Sequence, residues 1–175
     1  MDSQARLHCL FPRVEIAAAV SRLASEITRD YRDKNPLLLG ILKGSFIFMA
    51  DLIRALTVPV KVEFVRLASY GSGRDTSGEV SVVQPLGRSI KGEDVLVVED
   101  IVDRGLTLNL LLEQLRAEGP TSLRLCALLD KASRRRVPVQ IDYLGFAVPD
   151  RFLVGYGLDW AERYRHLPDI HAVVD

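Results

Sequence analysis

Val95-Leu96-Val97-Val98-Glu99-Asp100-Ile101-Val102-Asp103-Arg104-Gly105-Leu106-Thr107 decides how this 175-residue chain is read. Four apolar residues run directly into two adjacent carboxylates, and a third acid, a glycine and a threonine follow. Such a short apolar run bounded by turn residues predicts a buried strand. Leu106–Ala117, ended by Gly119-Pro120, predicts a helix. A turn feeding a helix N-terminus offers free N–H groups and the positive end of a dipole, which suit a phosphate. The acids would repel that phosphate, but they suit a sugar diol, because carboxylates accept strong hydrogen bonds from hydroxyls. A solvated acidic turn that only caps the helix is the alternative.

Outward from this segment the pattern repeats. An amphipathic stretch from Arg13 to about Arg32, with Val14, Ala17, Ala18, Val20, Leu23 and Ile27 near helical spacing, stops at Asn35-Pro36. Leu37–Leu42 is a second buried run, and Phe46–Leu56 a helix with Ser45 as its expected N-cap. Val58–Leu67, Glu79–Gln84, Ser122–Leu129 and Tyr143–Phe146 read as further strands. The tail from Phe152 to Asp175 reads as short strands and turns, with one helical turn around Ala161–Tyr164. Strands alternating with helices imply an α/β fold with a mostly parallel sheet. Such sheets bind ligands beyond the carboxyl ends of their strands. That places Lys43-Gly44, Glu99-Asp100, Lys131 and the segment from Phe152 onward at the expected site.

Composition narrows the function. The 23 basic and 23 acidic residues give zero formal charge, so no basic excess supports phosphate-neutralising contact with nucleic acid. The 48% hydrophobic content is enough for a sizeable core. No apolar run approaches the roughly 18 residues of a membrane helix. Met1-Asp2-Ser3-Gln4 has no signal-peptide character. Cys9 and Cys126 share no metal or disulfide spacing, and they fit a reducing, cytoplasmic setting.

The acidic segment resembles the 5-phosphoribosyl-1-diphosphate (PRPP) signature of the type I phosphoribosyltransferases. Gly40-Ile41-Leu42-Lys43-Gly44-Ser45-Phe46 resembles their pyrophosphate loop, and Arg66-Leu67-Ala68-Ser69-Tyr70-Gly71-Ser72-Gly73 their lid. Lys131 with Ser133-Arg134-Arg135-Arg136, then Asp142 through Asp159, resembles the purine pocket of the hypoxanthine (guanine) branch. The likeness runs from about Leu37 to Pro168.

The resemblance implies a single domain over residues 1–175. Its central, mostly parallel sheet would be flanked by helices. A small hood would form from the N-terminal segment and about 142–175, and a flexible β-hairpin lid from about 69–79. The implied reaction is purine salvage: transfer of the phosphoribosyl group from PRPP to N9 of hypoxanthine and/or guanine, giving a nucleoside monophosphate and pyrophosphate. Glu99 and Asp100 would hold the ribose hydroxyls and contribute to Mg²⁺ binding with Asp159. Asp103, Arg104, Gly105, Leu106 and Thr107 would cradle the 5′-phosphate, with Asp103 as general base. Lys43 and Gly44 would contact pyrophosphate, in a loop that often carries a non-proline cis peptide in the family, and Arg165 would make a second pyrophosphate contact. Ser69 and Tyr70 would reach over from the lid. Lys131, Phe152, Leu153 and Asp159 would form the purine site. A homodimer or homotetramer is implied.

Each residue has a plainer reading. Lys43 could be an ordinary helix-start lysine, Phe152 a core aromatic, Asp159 the cap of the turn at Ala161, and Arg165 one of eighteen arginines. Arg104 departs from the Thr or Ser common in the family, and it could pair with Asp103 and lower its basicity. Arg134-Arg135-Arg136 reads as a solvated or interface surface. A nucleotide- or RNA-binding regulatory protein on the same fold is the alternative function, resting on Arg104 and that arginine run.

Overall fold

A computed structural model describes residues 6–69, 80–84 and 86–174. In chain order the elements are β1 (Arg6–Phe11), α1 (Arg13–Asp30), β2 (Leu37–Leu42), α2 (Phe46–Ala55), β3 (Lys61–Ser69), β4 (Val80–Gln84), β5 (Asp94–Val102), α3 (Leu106–Ala117), β6 (Ser122–Asp130), β7 (Tyr143–Ala147), β8 (Leu153–Val154) and β9 (Ile170–Val174). The large sheet has the order β4-β3-β2-β5-β6-β7, and only the β3–β4 pair is antiparallel. The expected parallel α/β architecture is therefore present.

Strand periodicity separates two cores. Leu38, Leu96, Val98, Cys126 and Leu128 face one side, where α1 and α2 pack. Leu37, Leu39, Val95, Val97, Leu125 and Ala127 face the other, against Leu108, Leu111, Leu112 and Leu115 of α3. Alternate side chains on a strand point to opposite faces, so both faces must be apolar and the strands read as continuous hydrophobic runs.

The chain winds outward from β2 to β3 and β4, and separately from β5 to β6 and β7. The carboxyl ends of the adjacent parallel strands β2 and β5 thus flank the switch point where such sheets open a crevice. At the amino end of the sheet, Arg124 Nη1 bonds Asp30 Oδ2 at 3.0 Å and Tyr143 Oη at 2.6 Å. The Tyr143 hydroxyl donates to the same carboxylate at 2.9 Å, and these bonds hold the Asp30 carboxyl below its usual range.

A second sheet, β1-β9-β8, forms the hood. β1 was not read from the sequence, since RLHCLF has no clean alternation and most of it is exposed or half-buried. β7 joins the large sheet, so the hood draws on residues 6–11 and 153–174 rather than on 142 onward. The buried stripe of α1 is Ile16, Ala19, Val20, Leu23, Ala24 and Ile27. Val14, at 70% exposure, and Ala17 and Ala18 lie outside it. Ile16-Val20-Leu23-Ile27 keeps the 4-3-4 spacing of one helix face, which Val14 does not share. Ser45 does not cap α2: its buried hydroxyl donates to the Ile41 carbonyl at 2.6 Å. Ala161–Tyr164 is no helical turn. Ala161, Glu162 and Tyr164 all have positive φ, and Trp160 pairs with Arg163 in an isolated bridge.

Candidate active site

A cleft of about 490 Å³ opens at the carboxyl ends of β2 and β5. Lys43, Gly44, Asp100, Asp103, Lys131, Phe152, Leu153, Asp159 and Arg165 line it together. Residues up to 122 positions apart in the chain thus converge, counting from Lys43 to Arg165. Glu99 and Arg104–Thr107 do not line the cleft, but they flank Asp103 in the same strand–turn–helix segment. The side chain of Ser69, and Tyr70 with the rest of 70–79, lie outside the described residues.

The loop after β2 begins at a cis Leu42–Lys43 peptide, as the resemblance implied. A Cβ on Gly44 would overlap the Asp100 carboxylate, so only glycine lets the loop approach β5 this closely. Gly157 of the hood touches the same loop, where a Cβ would collide with the Gly44 carbonyl. The Lys43 ammonium pairs with Glu162 at 3.0 Å. Arg165 donates to the Gly157 carbonyl at 2.7 Å, pairs with Asp159 at 2.8 Å, and reaches Glu162 at 3.5 Å. Its Nε is buried with no hydrogen-bond partner. Arg165 is therefore an oriented, half-buried cation, not a solvated one. Glu162 bridges the two cations, and Lys43 first, then other charge, holds its carboxyl below the usual range.

Glu99 and Asp100 lie side by side within β5, which runs on past them to Val102, so the strand carries the acids that the sequence places after its apolar run. Burial, and then the Asp100 charge, push the Glu99 carboxyl well above its usual value. Asp100 Oδ1 accepts from the Ile101 amide at 2.8 Å. Gly105 has φ +82°, and a Cβ there would crowd Val139 and Arg135. α3 starts immediately after it, and the N–H groups of its first turn have no partners within the helix.

Asp103 has one oxygen buried without a hydrogen bond, and the Nε of Arg134 lies 3.4 Å from it. That separation makes an ion pair without the alignment of a hydrogen bond. The cation beside Asp103 is therefore Arg134 and not Arg104. Arg134 also reaches Asp150 at 3.6 Å, and Asp150 lies 4.0 Å from Lys131. Arg135 binds the Asp103 carbonyl at 2.9 Å and pairs with Asp130. The expectation of a solvated arginine surface is thus corrected for Arg134 and Arg135. The short 3₁₀ turn Ala132–Arg134 folds them back onto the acidic turn, a consequence of chain path that charge alone could not signal.

Lys131 is 5% exposed, and its ammonium donates to the Arg151 carbonyl at 2.7 Å. Phe152 is 54% exposed, which removes the core reading, and it meets Trp160 edge-on at 6.1 Å. Leu153 is buried in β8, opposite Ala172. The Phe152 carbonyl accepts from the Val173 amide at 2.8 Å. Asp159 accepts from the Glu162 amide at 2.8 Å, so the capping reading holds alongside its place in the cleft. Glu162, Arg134 and Arg66 line the cleft without having been singled out as site residues. Glu162 sits in a turn with no motif of its own, and Arg66 and Arg134 are two of many arginines.

The phosphoribosyl transferase domain model matches residues 11–161. The chain belongs to the phosphoribosyltransferase family. It is 48% identical over 167 residues to the hypoxanthine phosphoribosyltransferase of Salmonella typhimurium, covering 94% of each chain. It is 45% identical over 161 residues to the hypoxanthine-guanine phosphoribosyltransferase of Bacillus subtilis, covering 92% of this chain and 89% of that one. A crystal structure of a hypoxanthine-guanine phosphoribosyltransferase from Bacillus anthracis superposes with a TM-score of 0.92 at 41% identity, covering 98% of this chain and all of the other.

Proposed function

We propose that this protein transfers the 5-phosphoribosyl group of PRPP to N9 of a 6-oxopurine, hypoxanthine and/or guanine, releasing pyrophosphate. The observation that carries this reading is one cleft holding a buried lysine, an exposed aromatic ring, an acid and a cationic loop. In the reaction the N9–C1′ bond forms as the C1′–O bond to pyrophosphate breaks. Asp103 takes the proton that the base releases. The ribose carbon develops positive charge, as in glycoside chemistry, and nearby carboxylates stabilise it.

Lys131 donates to the purine 6-oxo group, which an adenine amino group could not accept. Phe152 stacks on the base, and Leu153 presents backbone groups to its edge. Asp159 lies beside that edge. Glu99 and Asp100 take the ribose hydroxyls. Asp103 to Thr107, with the free amides opening α3, take the 5′-phosphate, and the Arg104 guanidinium replaces a hydroxyl contact. Lys43, Gly44 and Arg165 take pyrophosphate, with Ser69 and Tyr70 closing over it. Glu162, which pairs with both Lys43 and Arg165, competes with pyrophosphate for these cations.

The donor chemistry fits Mg²⁺ at Glu99 and Asp100: hard carboxylates, one with its ionisation opposed by the other, favour a small dication. Asp159 fits less well, because the Glu162 amide and Arg165 already engage its carboxylate. When bound, the ion would offset the charge of the departing diphosphate. The regulatory alternative loses half of its support, since Arg134 and Arg135 are engaged within the molecule. We include in the proposal one domain over residues 1–175, a cytoplasmic setting and a homodimer or homotetramer, which light scattering would decide.

The test is pyrophosphate release from PRPP with Mg²⁺ and hypoxanthine, guanine, xanthine, adenine or uracil in turn. Turnover with a 6-oxopurine and none with adenine or uracil is expected. Silence with all five, from folded protein that still binds PRPP, would overturn the enzyme reading.

A further inference from the structure

The hood sheet carries a cluster that the proposed reaction does not use. Cys9 of β1 lies directly opposite His171 of β9 in the antiparallel register. Asp169 precedes His171 by two residues, the step that returns a side chain to the same face of an extended chain. The Cys9 sulfur, a carboxylate oxygen of Asp169 and a ring nitrogen of His171 all lie within 4.8 Å of one another. No other trio of Cys, His, Asp or Glu among the described residues comes together in this way.

Two further observations bear on the cluster. His171 Nδ1 is sealed from solvent and makes no hydrogen bond, although a buried ring nitrogen ordinarily finds a partner. Asp169 is held in place by the Arg13 amide, which donates to Oδ1 at 2.6 Å; Oδ2 is left for another partner. Cys9 is exposed and gives access from solvent.

We propose that Cys9, Asp169 and His171 bind one borderline-soft divalent cation of the zinc class, with water as the fourth ligand. Thiolate and imidazole select such an ion over Mg²⁺, which takes oxygen ligands. Bond lengths of about 2.0–2.3 Å put tetrahedral ligands roughly 3.3–3.8 Å apart, so the three groups close by about 1 Å through side-chain rotation. The cation replaces the thiol proton, which goes to solvent. The bound ion ties β1 to β9 and to the turn before it. Because β9 pairs with β8, it braces the strand that carries Leu153.

The test titrates chelator-stripped protein with ZnCl2 against a chromophoric competitor in excess MgCl2, which fills the carboxylate sites of the cleft. One equivalent of Zn²⁺ bound below about 10 µM is expected, with a raised melting temperature and protection of Cys9 from a thiol reagent. Cys9→Ser and His171→Gln should each weaken binding by at least about tenfold. His8→Gln, on the neighbouring position of β1, should leave it unchanged. No stoichiometric binding by the parent, or binding by Cys9→Ser and His171→Gln as tight as the parent's, would overturn the site. Base turnover plays no part in this readout, so it stands or falls independently of the proposed reaction.

Discussion

The cleft has two walls of different construction. One is made by the turns after β2 and β5, which leave strands whose neighbours are wholly buried: Leu37, Leu38, Leu39, Val95, Leu96, Val97 and Val98 have at most trace exposure. The other is the hood side, where a two-residue strand is followed by turns with positive φ at Tyr156, Ala161, Glu162 and Tyr164. The first wall holds its acids rigidly because moving them would disturb the core. The second holds Arg165, Asp159 and Glu162 mainly through their bonds to one another. Rigid placement suits groups that must meet a reacting carbon. Exchangeable ion pairs suit groups that must release one anion and receive another.

The largest test of this contrast is Asp103→Asn on the rigid wall. A general base contributes about 10²–10⁴-fold, so kcat should fall by that order while PRPP affinity is kept. Unchanged kcat would take Asp103 out of the chemistry. Lys131→Ala, between the walls, removes a charged hydrogen bond of about 1.5–3 kcal/mol. The Kd for hypoxanthine should rise by roughly 10- to 100-fold, with PRPP binding intact; equal Kd values in calorimetry would remove the lysine from the pocket.

Glu162→Gln on the hood side should act in the opposite direction. With the bridging carboxylate gone, Lys43 is free for pyrophosphate and Arg165 keeps Asp159 as its acidic partner. The pair is exposed and screened, so the KM for PRPP should fall only about two- to fivefold, and less at high salt. A raised KM would mean that Glu162 positions the cations and does not occupy them.

The smallest effect should come from the far end of the sheet. Asp30 has its carboxyl lowered by the Tyr143 hydroxyl and by Arg29 and Arg124. A lowered folded-state value adds stability above the ordinary value of 3.8, and that stability is lost as pH falls through the folded-state value. Asp30→Asn should cost about 1 kcal/mol or less at neutral pH, since the pairs are partly exposed. The difference from the parent should shrink toward pH 3, with turnover unchanged throughout; a difference constant in urea melts across that range would assign the loss to packing.

Much of the rigid wall was legible in the sequence. Buried parallel strands advertise themselves as continuous apolar runs, so Leu37–Leu42 located the carboxyl end of β2, whereas Val95–Val98 marked only the fully buried part of β5, which continues through Glu99 and Asp100 to Val102. Lys131 and Phe152 were legible only through family resemblance, because neither residue type in isolation distinguishes a pocket from a core. β1 and the positive-φ turns at 161–164 were not legible: the first is a half-exposed strand without periodicity, and the second is a left-handed turn of non-glycine residues closed by the Trp160–Arg163 bridge and the Asp159 carboxylate.

The sequence by itself determined the α/β order, the placement of the acidic segment before α3 and the neutral overall charge, because each follows from local pattern or composition. Tertiary structure alone decided that Arg134 stands beside Asp103, that Glu162 bridges Lys43 across 119 positions, and that Cys9 faces His171. The physical reason is range. Backbone periodicity and turn chemistry act over a few residues and leave a signature in the chain. Side-chain pairing acts through space, and nothing in the spacing of a lone glutamate, arginine or cysteine announces its partner.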